Sequence, residues 1–582
     1  MTFDSLRVKV GRRPVTIVEV DVDYCSNTYG SAPCTAVLGT SGSSKCFNTF
    51  QTCQDKANFA KTTKTYRFCS ENALLPVGDG AIPCITKVDI APTQLDPKGI
   101  SVSASVNVTF KDFPHHDRGT DPYIDDRDYD ATGQGTFWGK FRARNPFLVN
   151  RPMRVMTGYV GDDGVVYTRT RHYFIDRLEL VDAKGQIKLV GKDLLRFSEG
   201  EDLQVPALSK GILDAGIDAD DTSLTLSPAG VGDSYGTSGR IRIDDELIDF
   251  SGKTGDQLTG LTRAVGGTTA ASHDADSKVQ ECAVYSSDSI PDILTDILTN
   301  YAGVDASYIP ASEWSDENDT WLGSFTSSVT LSDPKDVKEI LKEVLLASGS
   351  ILWWDEVEAK LKWRVIVPLQ PVGEVRILDE TQHILAGSLK VKDIEKDRVS
   401  RVFMFLDEIS AVADTDRKNF KTITATIDTE SESVNAYNAS KLLEILNRWI
   451  PISLPLADEI AQRFLVRYAT TPRQIEFKLD AKDFDIRTGD IVDVVSRLLQ
   501  RPDGSNGSVR FLVTECRENP IGSQGEYTAM QIYPEGGGAS VLFAANAQAD
   551  WTSASDSEKE NYMFISDDAG VMSDLAYGPR IG

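Results

Sequence analysis

The chain has 582 residues, 41% of them apolar and 25% charged, with a formal net charge of −26 at pH 7. That is the composition of a globular protein with several domains, and so large an acidic surplus argues against a binder of duplex phosphate, which needs Lys and Arg gathered on one face. No run of eighteen apolar residues occurs and the first residues lack an apolar stretch with a cleavage site, so the expectation is a chain with no membrane anchor that folds in a reducing cytoplasm.

In chain order, Arg7–Val22 alternates apolar and polar residues as a strand does. It leads into Cys25–Cys53, where Cys25, Cys34, Cys46 and Cys53 follow at separations of 9, 12 and 7. The intervening loops are rich in Gly, Ser, Thr and Asn and bury too little apolar surface to order themselves. The tight Cys-x2-4-Cys knuckle of zinc modules is missing, as are the two-residue gaps of ferredoxins. The residues alone leave open a metal or iron–sulfur site, two disulfides, or separate thiols, although a reducing compartment disfavours the disulfides. Cys69 and Cys84 read as buried thiols.

Ile82–Pro92 and Ile100–Phe110 alternate again, one face for core and one for solvent. Asp112–Asp130 holds seven Asp against two Arg, with His115 beside His116. Asp126, Asp128 and Asp130 begin with calcium-loop spacing, but Ala131 stands where Gly is wanted and Phe137 where a bidentate Glu belongs, so the segment reads as an exposed charged loop. Gly135–Val160 and Val165–Val181 read as strands with Arg and aromatic residues interleaved. The pattern occurs in single-strand binders, but in a chain this acidic it reads as cross-strand pairing.

Gly211–Gln280 reads as a small β domain with a turn at Asp244-Asp245. His273 and Cys282 do not make a peptidase pair, because Cys282 lies in a strand-like run rather than at a helix N-terminus. The expectation is of no Gly-x-Ser-x-Gly, no His-Glu-x-x-His and no phosphate-binding glycine loop, and so of no enzyme. Helices are expected at Pro291–Ala302 and Pro334–Ala347, the latter behind Ser332 and Asp333, with a hairpin at Ile351–Pro368. Strands return beyond Ile384, and a helix at Ala457–Tyr468 precedes strands that turn at Gly489-Asp490. Gly536 onward reads as an arm that orders against something else, with Phe543, Trp551, Tyr562 and Phe564 as anchors.

The 9, 12, 7 cysteine spacing, with Tyr29-Gly30 before the second cysteine and Lys45-Cys46 opening the second half, resembles the cysteine domain of lambda-like tail tip proteins of long-tailed (siphovirus-type) phages and of gene-transfer-agent hub proteins. FKDFPHHDRGTDPY and GTFWGKFRARNPF look like the continuation of that family, and Ile351–Pro368 and Gln474–Ser496 resemble its middle module and second tube domain. Glu246, Arg263, Gly266, Gly267, Thr268, Ala270 and His273 resemble a small barrel that recurs in phage tail proteins, with packing the expected role of Arg263 and His273 ahead of sugar binding.

The resemblance implies that Cys25, Cys34, Cys46 and Cys53 hold one [4Fe–4S] cluster per chain. It implies a homotrimeric baseplate hub at the distal tip of a virion's tail, joining the six-fold tube to a three-fold tip. Its partners would be a distal tail protein ring, a tape measure protein and a tip or central fibre protein, and genome DNA would pass through its lumen without specific binding, a use that suits acidic walls. The implied fold is mainly β with α+β modules. Residues 1–24 and 85–210 would form a first tube-like β-barrel domain, 25–84 the iron–sulfur module, 211–282 an inserted small β-barrel, 283–383 an α+β middle module, 384–535 a second tube-like domain, and 536–582 the arm. The competing classes are an iron–sulfur protein of redox or nucleic-acid function and a tail-associated wall hydrolase.

Overall fold

The computed structural model describes residues 5–531, apart from 7–10, 12, 72, 74, 76–79, 97–98, 100, 162–163, 181–184, 200–202, 324, 368–374, 451–454, 501–503 and 520–523; the expected arm at 536–582 lies outside the described residues. Alternation of apolar residues produces the first unit directly. Strands β1 (Pro14–Cys25), β2 (Lys61–Ser70), β3 (Ile82–Ala91), β4 (Ser105–Lys111), β5 (Pro152–Gly161), β6 (Gly164–Leu180) and β7 (Gln186–Lys192) close into a barrel in the order β1-β2-β3-β4-β7-β6-β5. Val18, Val20, Phe68, Val108, Phe110, Val155 and Leu189 fill it. Closure leaves no open edge. The Lys61–Ser70 segment, grouped by its sequence with the cysteine module, is thus barrel wall, and the loop module proper is 26–60, with one 3-10 turn at Lys56–Asn58.

Phe137–Arg144 is a helix, contrary to the strand expected there. Thr136, extended, opens it, and Asp112 takes hydrogen bonds from the Thr136 hydroxyl at 2.5 Å and from the Trp138 N–H at 2.9 Å. One of the first-turn amides that a helix leaves unpaired is therefore satisfied from outside. Helical spacing then puts Phe137, Trp138 and Phe141 into the barrel core, with Trp138 packed 4.5 Å from Phe110 and 5.0 Å from Phe68 between ring centroids.

Between 211 and 282, six strands form a sheet over its own core of Leu213, Leu224, Ile241, Ile248, Phe250 and Leu258. It curls until its edges meet, Leu213 N–H donating to Ser277 O at 2.9 Å and Val279 N–H to Gly211 O at 3.0 Å.

A larger core joins helices Ile290–Asp296, Ala311–Trp321, Val337–Ser348 and Leu456–Tyr468 to the hairpin Ser350–Asp355 and Lys360–Val365 and to the three-stranded sheet of Phe420–Ile427, Arg401–Glu408 and Leu442–Asn447. Residues 399–468 therefore pack with the middle module rather than with the last sheet. Helix Ala311–Trp321 was not foreseen: only Trp314 and Asn318 of its eleven residues are buried, too few to show an apolar stripe. Helix Val337–Ser348 begins behind Asp336 rather than Ser332 and Asp333, and ends at Gly349, whose φ of 63° provides the left-handed stop.

Where a second barrel was expected, Arg376–Asp379, Ile491–Gln500, Asn506–Asn519, Gln524–Gln531, Arg473–Asp480 and Lys390–Asp393 form a six-stranded sheet in that order. Its two outer strands are four residues long and share no ladder, so hydrogen bonding does not close it. It meets the barrel through a buried cluster. Arg171 of β6 bonds Glu518 at 2.8 Å and Glu356 at 3.0 Å, and Arg169 pairs with Glu518. Arg169 and Arg171 are thus ion-paired inside the molecule, but to other elements and not across the barrel sheet as expected, while Arg177 is exposed and pairs with Asp176 and Glu179 of its own strand.

Candidate metal centre

Cys25 is the last residue of β1, and the other three cysteines lie on the loop that leaves it. Asn48 closes that loop back on the strand: it takes the Cys25 N–H on its carbonyl at 2.8 Å and donates its side-chain amide to the carbonyls of Cys25 at 3.0 Å and Asn27 at 3.1 Å. Its φ of 54° is left-handed, a conformation that Asn tolerates better than most residues. Asp55 ties the second and fourth cysteine loops by accepting from the Thr35 N–H at 2.7 Å and the Thr35 hydroxyl at 2.9 Å. Tyr29 donates to Gln54 at 2.8 Å, and Gln54 donates to Ser44 O at 2.7 Å.

These ties turn Cys25, Cys34, Cys46 and Cys53 toward one pocket, which Asn27, Tyr29, Ala36, Asn48, Gln54, Asp55 and Asn58 complete. All four are free thiols. Burial pushes the Cys46 and Cys53 thiols up; backbone N–H groups of Asn48 and Asp55 pull the other way, and the neighbouring cysteines push both up further. A quartet of bare thiolates is therefore self-repelling, and positive charge among them removes the repulsion. Among the described residues no three His, Cys, Asp or Glu side chains converge closely enough to hold a single metal ion.

The acidic loop after β4 covers this site, which its sequence did not reveal. Arg127 donates to the carbonyls of Lys45 at 2.5 Å and Cys46 at 3.0 Å and is held by Asp121 at 2.9 Å, the two side chains being 2% and 0% exposed. The Tyr123 hydroxyl accepts the Tyr29 N–H at 2.7 Å. Phe47 lies between two guanidinium groups, those of Arg127 and Arg144, each 4.0 Å from its ring centre. Burial opposes ionisation of Asp117, and Arg144 and Lys140, at 2.7 and 2.9 Å, overcome it and hold its carboxyl below the usual range.

Other candidates are used up by structure. Asp126 pairs with Lys45 at 2.9 Å, Asp130 accepts the Thr132 N–H at 2.9 Å, and His115 and His116 accept the N–H groups of Asp117 and Arg118, so the calcium-like spacing and the His pair serve the loop itself. In the small sheet Glu246 takes both prongs of Arg263 at 2.8 Å, the N–H groups of Ala264 and Ala271, and His273 at 3.0 Å. The other nitrogen of His273 faces Asp244 at 2.9 Å, and burial pushes the Cys282 thiol up to about 12, so neither is set up for thiol hydrolysis. Contrary to the expectation that no Gly-x-Ser-x-Gly occurs, Gly232–Gly236 spells one, but Ser234 ends a 3-10 turn and donates to Val231 O at 2.7 Å, unlike a strand-to-helix nucleophile elbow. Cys69 and Cys84 are buried in the barrel wall, as their sequence setting suggested.

No family model matches this sequence, and no curated protein matches it. Among solved structures it is similar to the tail protein from Neisseria meningitidis MC58 at 10% identity and a TM-score of 0.35, over 77% of this chain and 92% of that one. It is similar to the 43 kDa tail protein of prophage MuSo2 from Shewanella oneidensis at 9% identity and a TM-score of 0.36, over 77% of this chain and 98% of that one. It is similar also to a chain of the native gene transfer agent virion at 13% identity and a TM-score of 0.29, over 56% of this chain and 80% of that one. These structural neighbours are phage tail proteins and a gene transfer agent particle.

Proposed function

We propose that this chain is a structural baseplate hub at the distal end of a long-tailed phage tail or a related particle, a homotrimer that joins tube to tip and lines part of the DNA exit channel. Cys25, Cys34, Cys46 and Cys53 would hold a [4Fe–4S] cluster. The observation that carries the proposal is that these four thiols, spaced as in the tail-tip family, line one pocket. When bound, such a cluster supplies four iron–thiolate bonds, which cross-link loops with no apolar core of their own. The chain's own residues do the rest: Asn48, Asp55 and Gln54 set the loop paths, and Arg127 and Tyr123 hold the module onto the barrel.

A single-strand binder needs accessible cations, and Arg169 and Arg171 of β6 are buried on Glu518. Electron microscopy of intact particles carrying a tagged copy tests the placement. The expected result is three tags at the distal end of the tube; tags along the tube, on the head, or absent from particles would overturn it.

A further inference from the structure

The loop between β4 and the helix Phe137–Arg144 does more than shield the cysteines. Arg127 reaches across to the backbone of residues some eighty positions earlier and spends two N–H groups on consecutive carbonyls, one of them Cys46's own. The remaining prongs are bonded by Asp121, so the guanidinium is fixed from both sides. Burying such a pair is costly unless every group is satisfied. Here the carboxylate also caps its own loop, accepting the Tyr123 N–H at 3.0 Å, and the Tyr123 hydroxyl then receives the Tyr29 N–H. The clasp thus grips the module on both sides of the pocket, at Tyr29 before Cys34 and at Lys45-Cys46.

Charge adds to the fit. A [4Fe–4S] core with four thiolates carries net negative charge in its common oxidised state, and the Arg127 guanidinium touches the carbonyl of one ligand residue while stacking on Phe47 beside it. We propose that Arg127, fixed by Asp121, is a positioning residue for the four-cysteine site, and that Asp121–Arg127 is the clasp that holds the thiols in place before any cluster is inserted. The cluster half of this inference rests on the function proposed above; the clasp half does not.

The test uses the full chain with Arg127→Met, Arg127→Lys and the milder Tyr123→Phe. Hydrogen exchange is measured first on iron-free protein. Arg127→Met and Arg127→Lys should each speed exchange about tenfold or more across residues 44–54 with the barrel strands unchanged, because Lys lacks the planar fork, and Tyr123→Phe should do so around Tyr29 to a lesser degree. After anaerobic reconstitution with ferrous iron and sulfide, the midpoint potential should move negative in Arg127→Met and stay near wild type in Arg127→Lys, a split that loosened packing alone would not produce. Unchanged exchange in the iron-free variants would overturn the clasp, and equal potentials in Met and Lys variants would overturn the charge role. If wild-type protein takes up no iron, the cluster reading fails while the exchange result still decides the clasp.

Discussion

Glu246 shows how a carboxylate that looks chemical by its neighbours is consumed by structure. Burial pushes its pKa up, yet Arg263, the amides of Ala271 and Ala264, and His273 hold it down at about 2. Its folded value lies below the ordinary value of about 4.5, so the stability it contributes is fully present above about pH 4.5 and is lost as pH falls from there through about 2. Glu246→Gln leaves the Arg263 guanidinium, 9% exposed, without its counter-charge, and should destabilise the small sheet by about 3–5 kcal/mol at neutral pH. Hydrogen exchange in Gly239–Ile243 and Glu246–Thr254 measures this: it should rise in the variant and lose its acid dependence over that window, while exchange like wild type would show the carboxylate to be dispensable. Asn48 belongs to the same scale, since its side chain and left-handed backbone return the cysteine loop to the end of β1.

Among the elements, those whose order comes from their own residues could be read in the sequence, and those ordered by distant partners could not. The alternation in β1 and the helical stripe of Leu456–Tyr468 were plain, because neighbours along the chain bury the same face. The helix Phe137–Arg144 was misread because its first turn is capped by Asp112, which no local pattern announces. The four cysteines were legible as a set through their spacing, whereas the acidic loop over them was dismissed as solvated surface because the carbonyls that Arg127 binds belong to Lys45 and Cys46. The junction of barrel and last sheet has the same character, Arg171 and Glu518 being 347 positions apart. Glu518→Leu removes the carboxylate that Arg169 and Arg171 share, Arg171 keeping Glu356, and should cost about 3–5 kcal/mol. Limited proteolysis should then cut between the barrel and the last sheet while each remains folded; resistance equal to wild type would mean that Leu95, Ile351, Trp353 and Leu512, packed nearby, hold the junction alone.

On the scale of the whole molecule, a closed barrel, a curled small sheet, a helical core and a last sheet each pack around apolar side chains, whereas the loop module 26–60 contributes to none of these cores and is held on the barrel side by Arg127 and Tyr123. A net charge of −26 suits the channel role proposed above, because like charge would let DNA slide past without adhering. The cluster proposed for the hub turns on whether the four thiols hold iron. The direct measurement is iron and acid-labile sulfide in anaerobically purified full-length protein, with its visible absorbance, beside Cys34→Ser. The account predicts brown protein with about four iron and four sulfide per chain, and loss of colour and iron in the variant; colourless wild-type protein without iron, or the same iron content in both, would contradict it.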